Sequence, residues 1–277
     1  MDLINAFRAP FMQRALVEML LLSILAGVVG VHVLLRRLAF VTDALTHTVF
    51  PGLAIAFALK ASLIGGALVS AVFSAVLLTL IVSGRNVDHD AALVAITASF
   101  FAVGVIIVSR SHSFTADLNA LLFGRILTVN RTAIIETVAI GLVVLLALTL
   151  FSKELLFRAF DPDGAAAQGY RVMLLDLLLN VTVALVVVAA LQAVGTLLVI
   201  TLIVTPAALA RLISSRIPTM MAIACFASAL SGWFGLAFSY RASVRHNWRV
   251  AAGPAITVTL TLAFVVVAAT RWLVGRR

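Results

Sequence analysis

The chain has 277 residues, of which 63% are hydrophobic and 11% are charged, and its mean hydropathy is +1.19. A soluble domain cannot bury so much apolar surface, so this composition excludes a soluble enzyme and indicates an integral membrane protein. The net charge of +9 comes from basic residues near the ends of apolar runs. No basic stripe interleaved with aromatic residues is present, which argues against a nucleic-acid partner.

The apolar runs predict an all-α polytopic membrane protein with about nine transmembrane helices, within a range of eight to ten. We expect one transmembrane domain over residues 1–277, because no long linker or low-complexity segment divides the chain. Nine spans place the N-terminus outside the cell and the C-terminus inside. The predicted spans are 15–34, 39–59, 62–83, 91–109, 132–151, 172–190, 194–213, 218–239 and 253–273.

The second run contains two ionisable residues, Asp43 and His47. They are four residues apart, so on a helix they share a face, one turn apart. A carboxylate oxygen with an imidazole nitrogen suits zinc, manganese or iron(II), and ionisable residues inside a membrane usually line a pathway. The alternative is a structural hydrogen bond between the two, or pairing of Asp43 with Arg36 or Arg37.

A helix-breaking pair, Pro51-Gly52, follows in the same run. We expect it to kink or unwind the helix and to free backbone carbonyls there. A simple packing kink is the alternative.

Two further groups of charged residues are open to more than one interpretation. In the inner loop 84–92, His89 stands between Asp88 and Asp90. This trio can contact a partner or simply cap the fourth span in solvent. Asp176 lies near the start of the sixth span, where Arg171 is close enough in sequence to offset its charge, so it is not predicted to be a functional site.

Two connections are longer than simple turns. The middle of residues 110–131 can form a short amphipathic helix at the outer surface. In residues 152–171, Asp161-Pro162 is typical of a helix N-cap followed by proline at the first helical position, and Gly169 can end that helix. This inner helix suits docking onto another protein, and an ordinary solvated connector is the alternative.

The sequence lacks the motifs of a nucleotide-hydrolysing enzyme. The two lysines, Lys60 and Lys153, do not follow a glycine, so no G-x-x-x-x-G-K-[ST] phosphate loop is possible. We therefore expect a transport subunit and not an enzyme, and any ATP must be bound by a separate chain.

Four segments, in this order, resemble the permease subunit of the ABC-type importers for zinc, manganese and iron, the ABC-3 family. The first resembles the family pattern G-x-x-G…RR…D-A-x-x-H-x-x-x-P-G. The segments are GVVGVHVLLRRLAFVTDALTHTVFPGLAIAF at 27–57, DLNALLFGRILTV at 117–129, FDPDGAAAQG at 160–169 and VGTLLVITLIVTPAALARLI at 194–213.

The resemblance implies a type II importer-like permease fold and assigns roles to particular residues. Asp43 and His47 would contact the metal during its passage. Residues 158–170 would form a cytoplasmic coupling helix seated in the ATPase, carried by Phe160, Asp161, Pro162, Ala165 and Gly169. Residues expected to gate or kink the path are Pro51, Gly52, Leu121, Phe123 and Gly124.

The resemblance also implies partners and a location in the multi-pass prokaryotic inner (plasma) membrane. These partners are two copies of a cytoplasmic ATPase that binds ATP, a second permease copy, an extracytoplasmic metal-binding protein and membrane lipid. No cofactor is expected to be bound permanently.

The transported ion would be manganese, zinc or iron, with a lean toward manganese and zinc. The His47…Pro51-Gly52 form itself is more like manganese and iron members than many zinc members. Two other functions remain open at this point. One is a secondary metal transporter driven by an ion gradient, and the other is a membrane scaffold or sensor that does not transport.

Overall fold

The structure is a computed structural model that describes residues 7, 9–83, 88–109, 124–246 and 250–274. These residues form α-helices, with a short 3₁₀ turn at Ile126–Thr128, and no strand occurs among them. The helices are α1 (Pro10–Leu35), α2 (Ala39–Thr48), α3 (Phe50–Ala58), α4 (Leu63–Ser83), α5 (His89–Ser109), α6 (Arg131–Leu150), α7 (Ser152–Phe160), α8 (Pro162–Ala167), α9 (Val172–Ile213), α10 (Ile217–His246) and α11 (Ala252–Val274).

The described part of the chain contains 8 helical segments that are long and apolar enough to cross a membrane, with α2 and α3 counted as one. Helix α9 has 42 residues. As a straight helix it would be about 63 Å long, twice the thickness of the hydrocarbon core of a bilayer. Gly195 has a non-helical backbone (φ 76°, ψ 166°) and divides α9 into two parts, each long enough for one span. The segments therefore agree with the predicted number of about nine transmembrane helices.

The chain forms two compact units. The first contains residues 1–34, 119–141 and 189–277, and the second contains residues 35–118 and 142–188. In the first unit α1 lies close to α10, because a Cβ atom on Gly27 would meet Cys225 and one on Gly232 would meet Met19. Small residues at such crossings let helix backbones approach in a membrane, where association depends on close van der Waals contact.

In the second unit a glycine pair fixes the distance between α3 and α4. A Cβ atom on Gly52 would lie 2.1 Å from the Gly66 carbonyl oxygen, and one on Gly66 would lie 2.3 Å from the Gly52 carbonyl oxygen. Neither position can hold a side chain without moving a helix. This crossing sets the position of the helix pair that carries Asp43 and His47.

Some boundaries differ from those expected from the apolar runs. Residues 152–160, placed in a connection by the sequence, form the amphipathic helix α7. Helix α10 continues to His246, beyond the expected end at 239, because residues 240–246 carry basic and polar side chains that end the apolar run but contain no glycine or proline that would end the helix. A short helix was expected in the middle of residues 110–131. Most of it falls on residues 110–123, which lie outside the described part of the chain.

Candidate metal site

Asp43 and His47 lie on one face of α2 and leave room for a cation. His47 Nε2 is 3.8 Å from Asp43 Oδ1, which is too long for a hydrogen bond. Two ligand atoms, each bound to one ion at about 2.1 Å, are at most about 4.2 Å apart, so both atoms can bind the same ion. The side chains of His47 and Asp43 are 43% and 49% exposed in the single chain, so their ligand atoms are accessible.

The helix that carries the pair is interrupted just beyond it. Helix α2 ends at Thr48, and α3 begins at Phe50 with Pro51 in its first turn. Two hydroxyl groups of α4 contact the interruption: Ser70 Oγ donates to the Thr48 carbonyl oxygen at 2.6 Å, and Ser74 Oγ lies 2.7 Å from Thr48 Oγ1. These hydrogen bonds satisfy polar groups that lipid could not, and they hold the end of α2 that carries His47.

Asp43 and His47 open into a cavity of about 640 Å³ between α2 and α5. Its walls are mainly apolar, so a charge inside it interacts with the ionisable groups more strongly than it would in water. The His47 ring meets the Phe101 ring edge to face, with centroids 6.2 Å apart. The lining residues are Phe40, Asp43, Ala44, His47, Asp90, Leu93, Val94, Thr97, Ala98 and Phe101.

The pair does not form a complete metal cluster within one chain. Among the described residues, no group of three or more His, Cys, Asp or Glu side chains is close enough to hold an ion. Asp43 and His47 therefore offer two ligands, and an ion held by them would need further ligands from water or from another chain.

The short inner helix predicted from Asp161-Pro162 is present as α8. Asp161 caps it, since its Oδ1 accepts a hydrogen bond of 2.8 Å from the Gly164 backbone N–H. Gly169 has φ 87°, a left-handed conformation that favours glycine after a helix. Ala165 is fully buried, whereas Phe160 at the end of α7 is 68% exposed. The helix thus has a fixed start and end and presents an aromatic side chain beside it.

An ion-pair cluster lies next to α8. Arg158 on α7 and Arg36, between α1 and α2, bind the two carboxylate oxygens of Asp176 on α9. Burial lowers the pKa of the Arg36 guanidinium, and the neighbouring Asp176 carboxylate acts in the opposite direction. Arg171, which was expected to offset the charge of Asp176, is not its ion-pair partner in the structure. Because Arg36 binds Asp176, it is also not paired with Asp43.

A second cavity of about 380 Å³ surrounds this cluster. It brings together the start of α5, the end of α4, the cluster and α8, so these elements lie at the same end of the second unit. Its lining residues include Arg36, Ser83, His89, Arg158, Pro162, Asp163 and Asp176.

The expected gate residues are only partly described. Leu121 and Phe123 lie outside the described residues. Gly124 has φ 73°, and a Cβ atom there would lie 2.3 Å from the Val194 carbonyl carbon. The next residue, Arg125, donates its backbone N–H to the Ala193 carbonyl oxygen at 3.0 Å. The end of the outer connection is therefore held against the residues that precede Gly195 in α9.

Two features were not found from the sequence. Asp90 lines the larger cavity, although the sequence placed it in an inner loop. Glu18 on α1 is buried, and its Oε1 accepts a hydrogen bond of 2.7 Å from Thr137 Oγ1 on α6. Glu18 is an acidic residue inside the first predicted span, and that position was a signal that could have identified it.

Comparison with known proteins identifies relatives along nearly the whole chain. A family model described as ABC 3 transport family matches residues 8–271. The manganese transport system membrane protein MntC of Halalkalibacterium halodurans is 35% identical over 254 residues, covering 92% of this chain and 85% of that protein. The manganese import system permease protein ScaB of Streptococcus gordonii is 34% identical over 256 residues, covering 92% and 90%.

A solved structure supports the same assignment. The structure of PsaBC from Streptococcus pneumoniae in complex with Fab matches with a TM-score of 0.82 and 33% identity, covering 96% of this chain and 94% of the matched chain. The fold, the multi-pass arrangement of apolar helices and the sequence match agree, and the chain is a membrane protein that belongs to the ABC 3 transport family.

Proposed function

We propose that this chain is the transmembrane permease subunit of an ATP-driven importer of manganese. The observation that carries the proposal is the Asp43–His47 pair, which opens into an apolar-walled cavity with its ligand atoms 3.8 Å apart. The relatives MntC and ScaB, named for manganese transport and import, support the choice of ion.

Asp43 and His47 serve as transient ligands of the transported ion. The carboxylate offsets the charge of the cation inside the membrane, and the imidazole adds a nitrogen donor. Two ligands bind an ion less firmly than a closed structural site does, which suits a site that must release its ion. A second copy of the chain, related by twofold symmetry, would contribute the same pair and give four ligands.

ATP is bound and hydrolysed by a separate chain, present in two copies, that docks onto α8. The absence of a phosphate loop from the sequence and the defined start and end of α8 support this assignment. An extracytoplasmic metal-binding protein delivers the ion to the opposite end of the path. Zinc and iron(II) are compatible with the same ligands, so delivery contributes to selectivity.

The test is uptake of labelled manganese by vesicles that contain the permease, its ATPase and its binding protein. We expect uptake that requires ATP and that Asp43→Asn abolishes without loss of the assembled complex. Uptake that persists without ATP and follows an imposed ion gradient would instead establish a secondary transporter. Normal uptake by Asp43→Asn would show that the ion takes another route.

A further inference from the structure

Two contacts fix the register between the interrupted helix α2–α3 and α5. The His47 ring meets the Phe101 ring, and the Phe50 ring lies against Gly104, where an added Cβ atom would be 2.3 Å from Phe50 Cδ1. The difference in residue number is the same in both pairs. The Phe50 ring also stacks against Phe101, with centroids 5.5 Å apart, so the register holds to within one helical turn. The two helices therefore run parallel, and Thr97 on α5 lies within about one turn of the level of Asp43 on α2.

The same register places Asp90 further along the cavity. Asp90 and Thr97 lie on one face of α5, and both line the cavity that contains Asp43 and His47. They are two helical turns apart, so Asp90 lies about 10 Å along the axis from the level of Thr97. The surface between these levels is formed mainly by Leu93 and Val94, which offer no ligand to a cation.

Asp90 is at the end of the second unit that contains α8. Its neighbour His89 lines the second cavity together with Pro162 and Asp163 of α8. Asp90 itself is exposed, so its carboxylate can bind a cation that keeps part of its water shell. The cavity thus extends from the Asp43–His47 pair toward the end at which the ATPase would dock.

We propose that Asp90 is a second binding position for the transported ion, which it receives after the ion leaves Asp43 and His47. Thr97 offers an oxygen atom within about one helical turn of the first position. This inference rests on the proposed function, because it assumes that the ion occupies the Asp43–His47 pair and moves toward α8. A carboxylate at the end of an apolar-walled cavity reduces the cost of moving a divalent ion that distance.

A different role for Asp90 is stabilisation of the α5 N-terminus, where a negative charge in the first turn is favourable. Asp88 provides a matched control for that role. It precedes α5, its carbonyl oxygen accepts the Ala92 backbone N–H at 3.0 Å, and it is exposed. Asp88 is not among the residues that line the larger cavity.

The experiment compares Asp90→Asn, Asp90→Glu and Asp88→Asn in vesicles that contain the complete complex, with labelled manganese as the probe. We expect Asp90→Asn to lower the maximal uptake rate about tenfold, because it removes the charge that attracts the ion in a poorly hydrated cavity. The manganese concentration for half-maximal uptake should change little, because loading occurs first at Asp43 and His47. Asp90→Glu should restore most of the rate, and Asp88→Asn should transport normally.

Three results would overturn the inference, and they are distinguishable from one another. Equal losses in Asp88→Asn and Asp90→Asn would assign the effect to the charge at the helix end. Normal uptake by Asp90→Asn, together with loss in Asp43→Asn, would remove Asp90 from the path but leave the proposed function intact. Normal uptake by Asp43→Asn would remove both the first binding position and the inference built on it.

Discussion

Arg158 Nη2 donates a hydrogen bond of 3.0 Å to Asp176 Oδ2, which joins the helix before α8 to the first turns of α9. The other oxygen of the same carboxylate binds Arg36, whose side chain is only 9% exposed and which precedes α2 by a short turn. A single carboxylate therefore connects the residues next to α8 with those that lead to Asp43.

Replacement of this carboxylate should destabilise the permease. Asp176→Asn keeps the size of the side chain but leaves two partly buried guanidinium groups without their counter-charge. Removing one partner of a buried ion pair costs about 3–5 kcal/mol, and we expect about 2–4 kcal/mol here because Asp176 is 23% exposed. The measurement is thermal unfolding of the purified permease. Arg171→Ala is the control and should unfold like the original protein; an equal loss in both variants would contradict the assignment of Arg36 and Arg158 as the partners.

Asp43 and His47 should behave as one site. We expect Asp43→Asn and His47→Leu each to abolish manganese uptake, and the double variant to be little worse than either single variant, because each removes half of the same ligand pair. Both replacements lower the cost of membrane insertion, so the amount of assembled complex should be unchanged. Uptake is measured per assembled complex, with zinc in parallel. Near-normal uptake of both ions by His47→Leu would show that the imidazole is a packing group.

The cap of α8 should be required for coupling to the ATPase. Asp161→Ala removes the hydrogen bond to the Gly164 N–H and should weaken α8 by about 0.5–2 kcal/mol. We expect manganese transport to fall while ATP hydrolysis continues. Asp161→Ser is the matched control, because serine also caps helices, and it should keep coupling. The measurement is the ratio of manganese transported to ATP hydrolysed, and an unchanged ratio in Asp161→Ala would argue against this role for the helix start.

The glycine crossing between α3 and α4 should tolerate no side chain. Gly66→Ala would place a Cβ atom 2.3 Å from the Gly52 carbonyl oxygen, so the helices must separate. We expect a less stable permease and reduced uptake, since α3 continues the helix that carries His47. Gly65→Ala is the neighbouring control, because its Cβ atom would meet nothing closer than Ser62 Cβ at 3.5 Å. Thermal unfolding and uptake of both variants check this, and equal behaviour would show that the crossing is not rigid.

Much of the architecture could be predicted from the sequence because the energetics of a bilayer dominate it. Long apolar runs must form helices there. Residues 160–169 contain the residue types that typically cap and end a helix. The helical membrane fold and the resemblance to the ABC-3 family are confirmed by the structure and the relatives. Helix α7 was missed because a short amphipathic segment carries no hydropathy signal of a span.

Contacts between distant residues could not be predicted. Arg171 is near Asp176 in sequence, but the partners that bind it come from other helices, and no local pattern identifies them. Similarly, the sequence shows Asp90 only as one of three ionisable residues in a predicted loop. Its place in the cavity of Asp43 and His47 follows from the register of α5 against α2. One sequence alone does not contain that register.

If Asp43 and His47 bind the transported manganese as proposed, the 3.8 Å gap between them has a consequence for discrimination against magnesium. Since the two side chains are not bonded to each other, a cation need not break a contact to enter, and the main barrier becomes removal of the ion's own water. Magnesium loses water reluctantly and requires near-ideal octahedral oxygen ligands, whereas manganese accepts a mixed oxygen and nitrogen set more readily. If the pair binds the transported ion as proposed, we expect two unbonded, unlike ligands to reject magnesium because it loses its water slowly, and not by ionic size.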